Sequence, residues 1–216
     1  MAAAQMPFAL SVPTQPSLEC RWFYEGGVPA QLAAAVNRWK FESVPDDRDD
    51  VYLVNNAVDV SIKLRGGKYL EIKKRTNTRT SVFAMDRVAG LIETWVKWSF
   101  PLAEQGIEVL SDGAWITVRK SRKTQKFAGT KNGLEAVGPW SRPEAGVNFE
   151  VTLLRVADAA WWTVGFEMFG PPRQLDFLFE QALRCVLTKG GLPDLTPDAS
   201  MSYPQWLTRL PRPSPR

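Results

Sequence analysis

Polar and apolar positions alternate with period two through most of the first 170 residues, and that period predicts strands. Eight runs carry it: residues 18–24, 51–54, 60–65, 69–75, 93–100, 115–123, 147–156 and 161–169. Gly66-Gly67 joins the third run to the fourth, which reads as a hairpin with a left-handed turn. The period changes in two places. Residues 28–39 place Leu32, Ala35, Val36 and Trp39 at helical spacing, with Pro29 in the first turn. After Pro171-Pro172, Leu175, Leu178, Phe179, Ala182, Leu183, Val186 and Leu187 recur as one helical face, closed by Gly190-Gly191. A last short helix is expected over 202–207, capped by Ser202. The remaining stretches read as connections: an acidic loop at 45–50, a turn at Asn55-Asn56, a polar loop at 76–79 and a long Gly- and Pro-containing link over 129–146. Residues 86–93 are ambiguous between a short helix and a strand.

Eight sequential, mostly antiparallel strands favour closure, because a closed sheet has no exposed edge. The expected fold is therefore α+β and mainly β: an eight-stranded antiparallel β-barrel over residues 18–170 with flanking helices. The C-terminal helices of 171–210 would pack on the barrel, with a flexible arm at 1–17 and a tail at 211–216.

Alternate positions of a strand share a face. Lys63 with Arg65, Glu71 with Lys73 and Arg75, Lys120 with Arg122, and also Lys97, Glu150 and Glu167, all sit opposite apolar neighbours. Charged faces ordinarily meet water, which favours a greasy core under a charged coat. Two features argue for the reverse. Trp22, Trp95, Trp98, Trp115, Trp161 and Trp162 supply bulk for an apolar outer layer, and the helix of 174–188 needs an apolar sheet face to cover. Both would leave the charges inside.

Charge and composition narrow the chemistry. The 216-residue chain has net charge +4 and no histidine, which removes the usual general base and the commonest metal ligand. Cys20 and Cys185 read as reduced apolar fillers. The clustered aspartates of 46–50 lack the spacing and glycine of a calcium loop and read as a solvated turn. The N-terminus lacks the basic and apolar regions of a secretory signal, and no run approaches a membrane span, so a cytoplasmic location is expected.

The element order, with Glu19-x-Arg21, Lys63-x-Arg65, Glu71-x-Lys73-x-Arg75, Lys120-x-Arg122, Glu150 and Glu167, resembles the CYTH, or triphosphate tunnel, superfamily over roughly residues 18–170. The resemblance implies a tunnel whose Arg21, Lys63, Arg65, Lys73, Arg75, Lys120 and Arg122 bind a triphosphate, polyphosphate or nucleotide. It implies that Glu19, Glu71, Glu150 and Glu167 hold Mg²⁺ or Mn²⁺ for phosphohydrolysis. The sequence departs from that pattern in two strands. The family's Glu-x-Glu-x-Lys first strand reads Glu19, Arg21, Phe23 here, and Glu167 has Gly165 and Phe169 in place of a second glutamate.

Two other readings come from the residues themselves. A non-enzymatic barrel would bind an apolar ligand or a protein partner among its tryptophans, with Lys63 and Lys73 pointing outward. RNA binding would use the basic strip 119–127, though the small net charge favours a solvated strand end there.

Overall fold

In a computed structural model, residues 15–39, 46–83, 87–102 and 115–210 are described. Nine strands run in chain order: β1 Gln15–Glu25, β2 Asp46–Leu53, β3 Val60–Arg65, β4 Tyr69–Phe83, β5 Val88–Pro101, β6 Trp115–Thr130, β7 Gly133–Val137, β8 Gly146–Val156 and β9 Ala159–Phe169. They pair antiparallel in the order β2-β3-β4-β5-β1-β9-β8-β6, and β2 returns to β6 to close an eight-stranded barrel. The ninth strand, β7, extends the sheet beside Lys126–Thr130 of β6, past the stretch that β2 occupies.

Five sequence expectations change. The acidic run is a strand: Asp46 to Asp50 pair with β6 from Arg122 to Val118, so cross-strand cations support residues of poor strand propensity. The polar residues 76–79 continue β4 beyond a register shift between Arg75 and Asn77. The ambiguous stretch is strand from Val88, and the long link contains β7. Residues 15–17 belong to β1, while the rest of the arm and the tail at 211–216 lie outside the described residues. The hairpin holds as expected, with φ of 54° at Gly66 and 67° at Gly67.

Three helices follow from the helical spacings: α1 Ala30–Arg38, α2 Leu175–Thr188 and α3 Tyr203–Arg209. The apolar face of α2 covers the outside of β1, β9, β8 and β6, packing with Cys20, Trp22, Phe149, Val164 and Phe166. Phe166 and Phe179 meet edge to face at 5.6 Å. Each large apolar side chain buried this way contributes roughly 1.5–3 kcal/mol. Cys20 and Cys185 are free thiols, and burial pushes Cys20 far above the ordinary thiol range.

The short helix α3 has a different place. Ser202 caps it, its hydroxyl accepting from the Gln205 amide at 3.4 Å. Trp206, Leu207 and Leu210 pack against Phe23, Tyr52, Ile116, Val118 and Leu154. These strand residues share faces with the charged positions, Phe23 with Arg21 and Val118 with Lys120. The lumen is thus apolar and plugged at one end, and charged along the rest. No described helix is long and apolar enough to cross a membrane.

Candidate functional site

The alternation of β2, β3, β4, β6, β8 and β9 sends their charged faces inward. The result is a cavity of about 360 Å³, lined by nine cationic side chains and five carboxylates among the described residues. Ten of the eleven residues named from sequence line it: Glu19, Arg21, Lys63, Arg65, Glu71, Lys73, Lys120, Arg122, Glu150 and Glu167. The eleventh, Arg75, stands beside the wall, where its guanidinium donates to Glu93 and lies 5.8 Å from the Trp95 ring. Near the Gly66-Gly67 hairpin a wider recess of about 1000 Å³ shares Arg48, Arg65, Glu71 and Lys97 with the lumen, which makes it the mouth.

Inside, charges are organised into local networks. Asp50 is fully buried and is the hub of one. Its carboxylate accepts from Arg48 Nε at 2.9 Å and Lys63 Nζ at 3.0 Å, and lies 3.0 Å from Lys120 Nζ. Burial alone would raise its pKa, but Lys120, Lys63 and Arg48 outweigh that and hold it far below the ordinary carboxylate range. Lys120 also donates to Tyr52 Oη at 2.7 Å and sits 3.9 Å from the centre of the Tyr203 ring, so the plug helix contributes to the lumen wall.

Nearer the mouth, Glu71 accepts from Arg65 at 3.0 Å and pairs with Lys63 at 3.2 Å. Desolvation opposes its ionisation, yet Lys63 and Arg65 bring its pKa down to about 2. Lys73 donates to Glu19 at 2.6 Å and lies 3.9 Å from Glu167. Although burial works against the charged amine, Glu19 and Glu167 raise the Lys73 pKa above its ordinary value.

A third network spans five strands. Arg21, Gly165 and Glu150 are register partners across β1, β9 and β8. Arg21 donates to Glu150 and, at 3.1 Å, to Thr163 Oγ1. Arg122 donates to the other Glu150 oxygen through two nitrogens and to Asp46 at 2.6 Å. Against the burial penalty, Arg122 and Arg21 hold Glu150 well below the carboxylate range. The glycine makes room for it: a Cβ at 165 would stand 2.6 Å from the Arg21 Cζ, so any larger residue there would push the guanidinium aside. Arg21 and Gly165, one departure from the tunnel-family pattern in each of the two strands, thus form one feature, a guanidinium lying against bare backbone.

Several lumen residues escaped the sequence reading. Arg48 and Asp50 were hidden by reading 45–50 as a loop, although Asp46-x-Arg48-x-Asp50-x-Tyr52 has the same period as the other strands, and Tyr52, within the expected strand 51–54, was not singled out. Glu93, Trp95 and Lys97 share one face of β5, so Trp95 is a lumen residue rather than part of the outer layer. Lys97 makes no described side-chain hydrogen bond, but its charge helps to lower the pKa of both Glu71 and Glu167. Lys126 is held by the carbonyls of Pro139 and Ser141 at 2.9 and 2.8 Å. Only tertiary packing brings in Tyr203.

Among the described residues, no three carboxylates or thiols gather where they could hold a metal ion. Glu19, Glu71 and Glu150 each accept from protein cations instead, and Glu167, 32% exposed, lies 3.9 Å from Lys73. The basic strip of β6 is likewise divided. Lys120, Arg122 and Lys126 enter the lumen, Arg119 and Lys123 point out to Asp49 and Asn37, and Phe127 is buried in the core under α2. Compared with protein-family profiles and with curated proteins, the chain matches none.

Proposed function

We propose that the barrel is a binding protein for a phosphate-rich anion, a triphosphate, polyphosphate or nucleotide, taken into the lumen through the hairpin mouth. The observation that carries this reading is the excess of cations over carboxylates lining a polar cavity, where Lys97 acts on Glu71 and Glu167 without a described hydrogen bond to either. Arginine forks and lysine point charges match phosphate oxygens, and a cavity sheltered from bulk water weakens these attractions less than an open surface does. What supports an anion over an apolar ligand is the direction of Lys63 and Lys73, both of which line the lumen.

Binding, rather than metal-assisted hydrolysis, is the function this donor set supports. Glu19, Glu71 and Glu150 act as acceptors for arginine and lysine, and among the described residues no three carboxylates or thiols gather where they could hold a metal ion.

Millimolar tripolyphosphate tests the reading through thermal unfolding. Ligand at about 100 times its Kd adds about 2.7 kcal/mol to stability, and a clear rise in Tm is the expected outcome. An unchanged Tm in both EDTA and Mg²⁺ buffers would remove the basis for the proposal.

A further inference from the structure

We infer that the lumen takes its anion without a divalent metal, with the Arg21 guanidinium as the fixed counter-cation among its carboxylates. This rests on the anion-binding reading and specifies the ionic form of the ligand.

The geometry of Arg21 carries the inference. Its guanidinium crosses the β9 backbone at Gly165, where any Cβ would collide with it, and reaches Glu150 on β8. One Glu150 oxygen accepts from Arg21 and from Thr152 at 3.3 Å, and the other accepts from two nitrogens of Arg122. Glu71 meets Arg65 with one oxygen and Lys63 with the other. Glu19 Oε1 accepts from Lys73 and, at 2.8 Å, from Ser17.

A small hard cation such as Mg²⁺ requires near-octahedral oxygen ligands at about 2.0–2.1 Å. To bind Glu150 it would have to displace an arginine or share a carboxylate with one, placing two cations side by side in a cavity already in cationic excess. The ligand chemistry follows. A free polyphosphate presents its full negative charge to the lumen, whereas a Mg²⁺ complex presents less and brings a cation with it. Magnesium therefore competes for the ligand rather than assisting its binding.

Calorimetric titration with tripolyphosphate, in EDTA and then in excess Mg²⁺, tests this on the intact protein. Affinity in EDTA should be the higher of the two, falling several-fold when Mg²⁺ is added. Binding seen only with Mg²⁺, or tightened by it, overturns the inference while leaving the lumen as an anion site. No binding in either buffer overturns both.

Arg21→Gln and Gly165→Ala approach the same point from opposite sides, one removing the charge and the other pushing it off its seat. Each should weaken binding in EDTA, and Mg²⁺ should restore part of the loss in Arg21→Gln. A purely structural role for Arg21 would give a variant with lowered Tm and the wild-type response to Mg²⁺. Should either variant fail to fold, the wild-type comparison still decides the matter.

Discussion

Asp50 shows how one buried side chain can set the arrangement of several functional ones. It lies at a strand position with no exposure and faces Arg48, Lys63 and Lys120. The isosteric change Asp50→Asn leaves those three cations around a neutral amide. Breaking a buried ionic cluster by removing one member costs about 3–5 kcal/mol, and a loss of that size is expected in urea unfolding of the variant. A loss under about 1 kcal/mol would mean that the cations find other partners and that Asp50 does not organise them. Lys97 is the converse case. It makes no described hydrogen bond and acts on Glu71 and Glu167 through charge alone, so Lys97→Met should cost no more than about 1 kcal/mol of stability.

At the scale of elements, the strongest sequence signals were those in which a repeating pattern met a matching partner. The period-two runs gave eight strands, and Gly66-Gly67 gave the hairpin, because both depend on local geometry. The seven-residue apolar face of α2 required an apolar sheet surface, and that single requirement turned the charges inward. Phe179→Ala tests this packing: it should cost about 3–5 kcal/mol in chemical denaturation, as large-to-small core changes do. A cost near zero would mean that α2 is not the outer cover of the barrel. The misread elements have a common cause. Asp46–Asp50 has poor strand propensity and 76–79 is polar on both faces, so neither shows an apolar alternation, and they are strands because β6 and β5 supply partners. No local pattern announces such partners. The same limit hid Tyr203, whose lumen position depends on how α3 seats in the barrel end, and Arg21's seat on Gly165, which joins residues 144 positions apart.

For the whole molecule, the charged lumen ties stability to pH. Glu71 has its pKa lowered to about 2 from an ordinary 4.5, and Asp50 and Glu150 are shifted in the same direction. Carboxylates depressed in the folded state contribute stability that is fully present above about pH 4.5 and lost as pH falls toward 2. For Glu71 alone the contribution is on the order of 3 kcal/mol. Glu93 works the other way: burial raises its pKa, so its contribution grows as pH falls toward about 4.5, before the acid limb begins. A Tm series should therefore show a plateau near neutrality and a steep decline below about pH 4.5. A flat profile down to pH 3 would contradict the lumen network.

The central question is whether this enclosed, cation-rich lumen holds phosphate, and Lys97 gives the cleanest way to ask it. Titration of tripolyphosphate followed by ³¹P NMR should show saturable binding to the wild-type protein in EDTA. Lys97→Met, folded and close to the parent in stability, should bind about tenfold or more weakly, from the ~1.5–3 kcal/mol that a charged hydrogen bond contributes. Wild-type spectra that do not respond to protein, or equal affinity in the two proteins, would contradict a phosphate site in the lumen at Lys97.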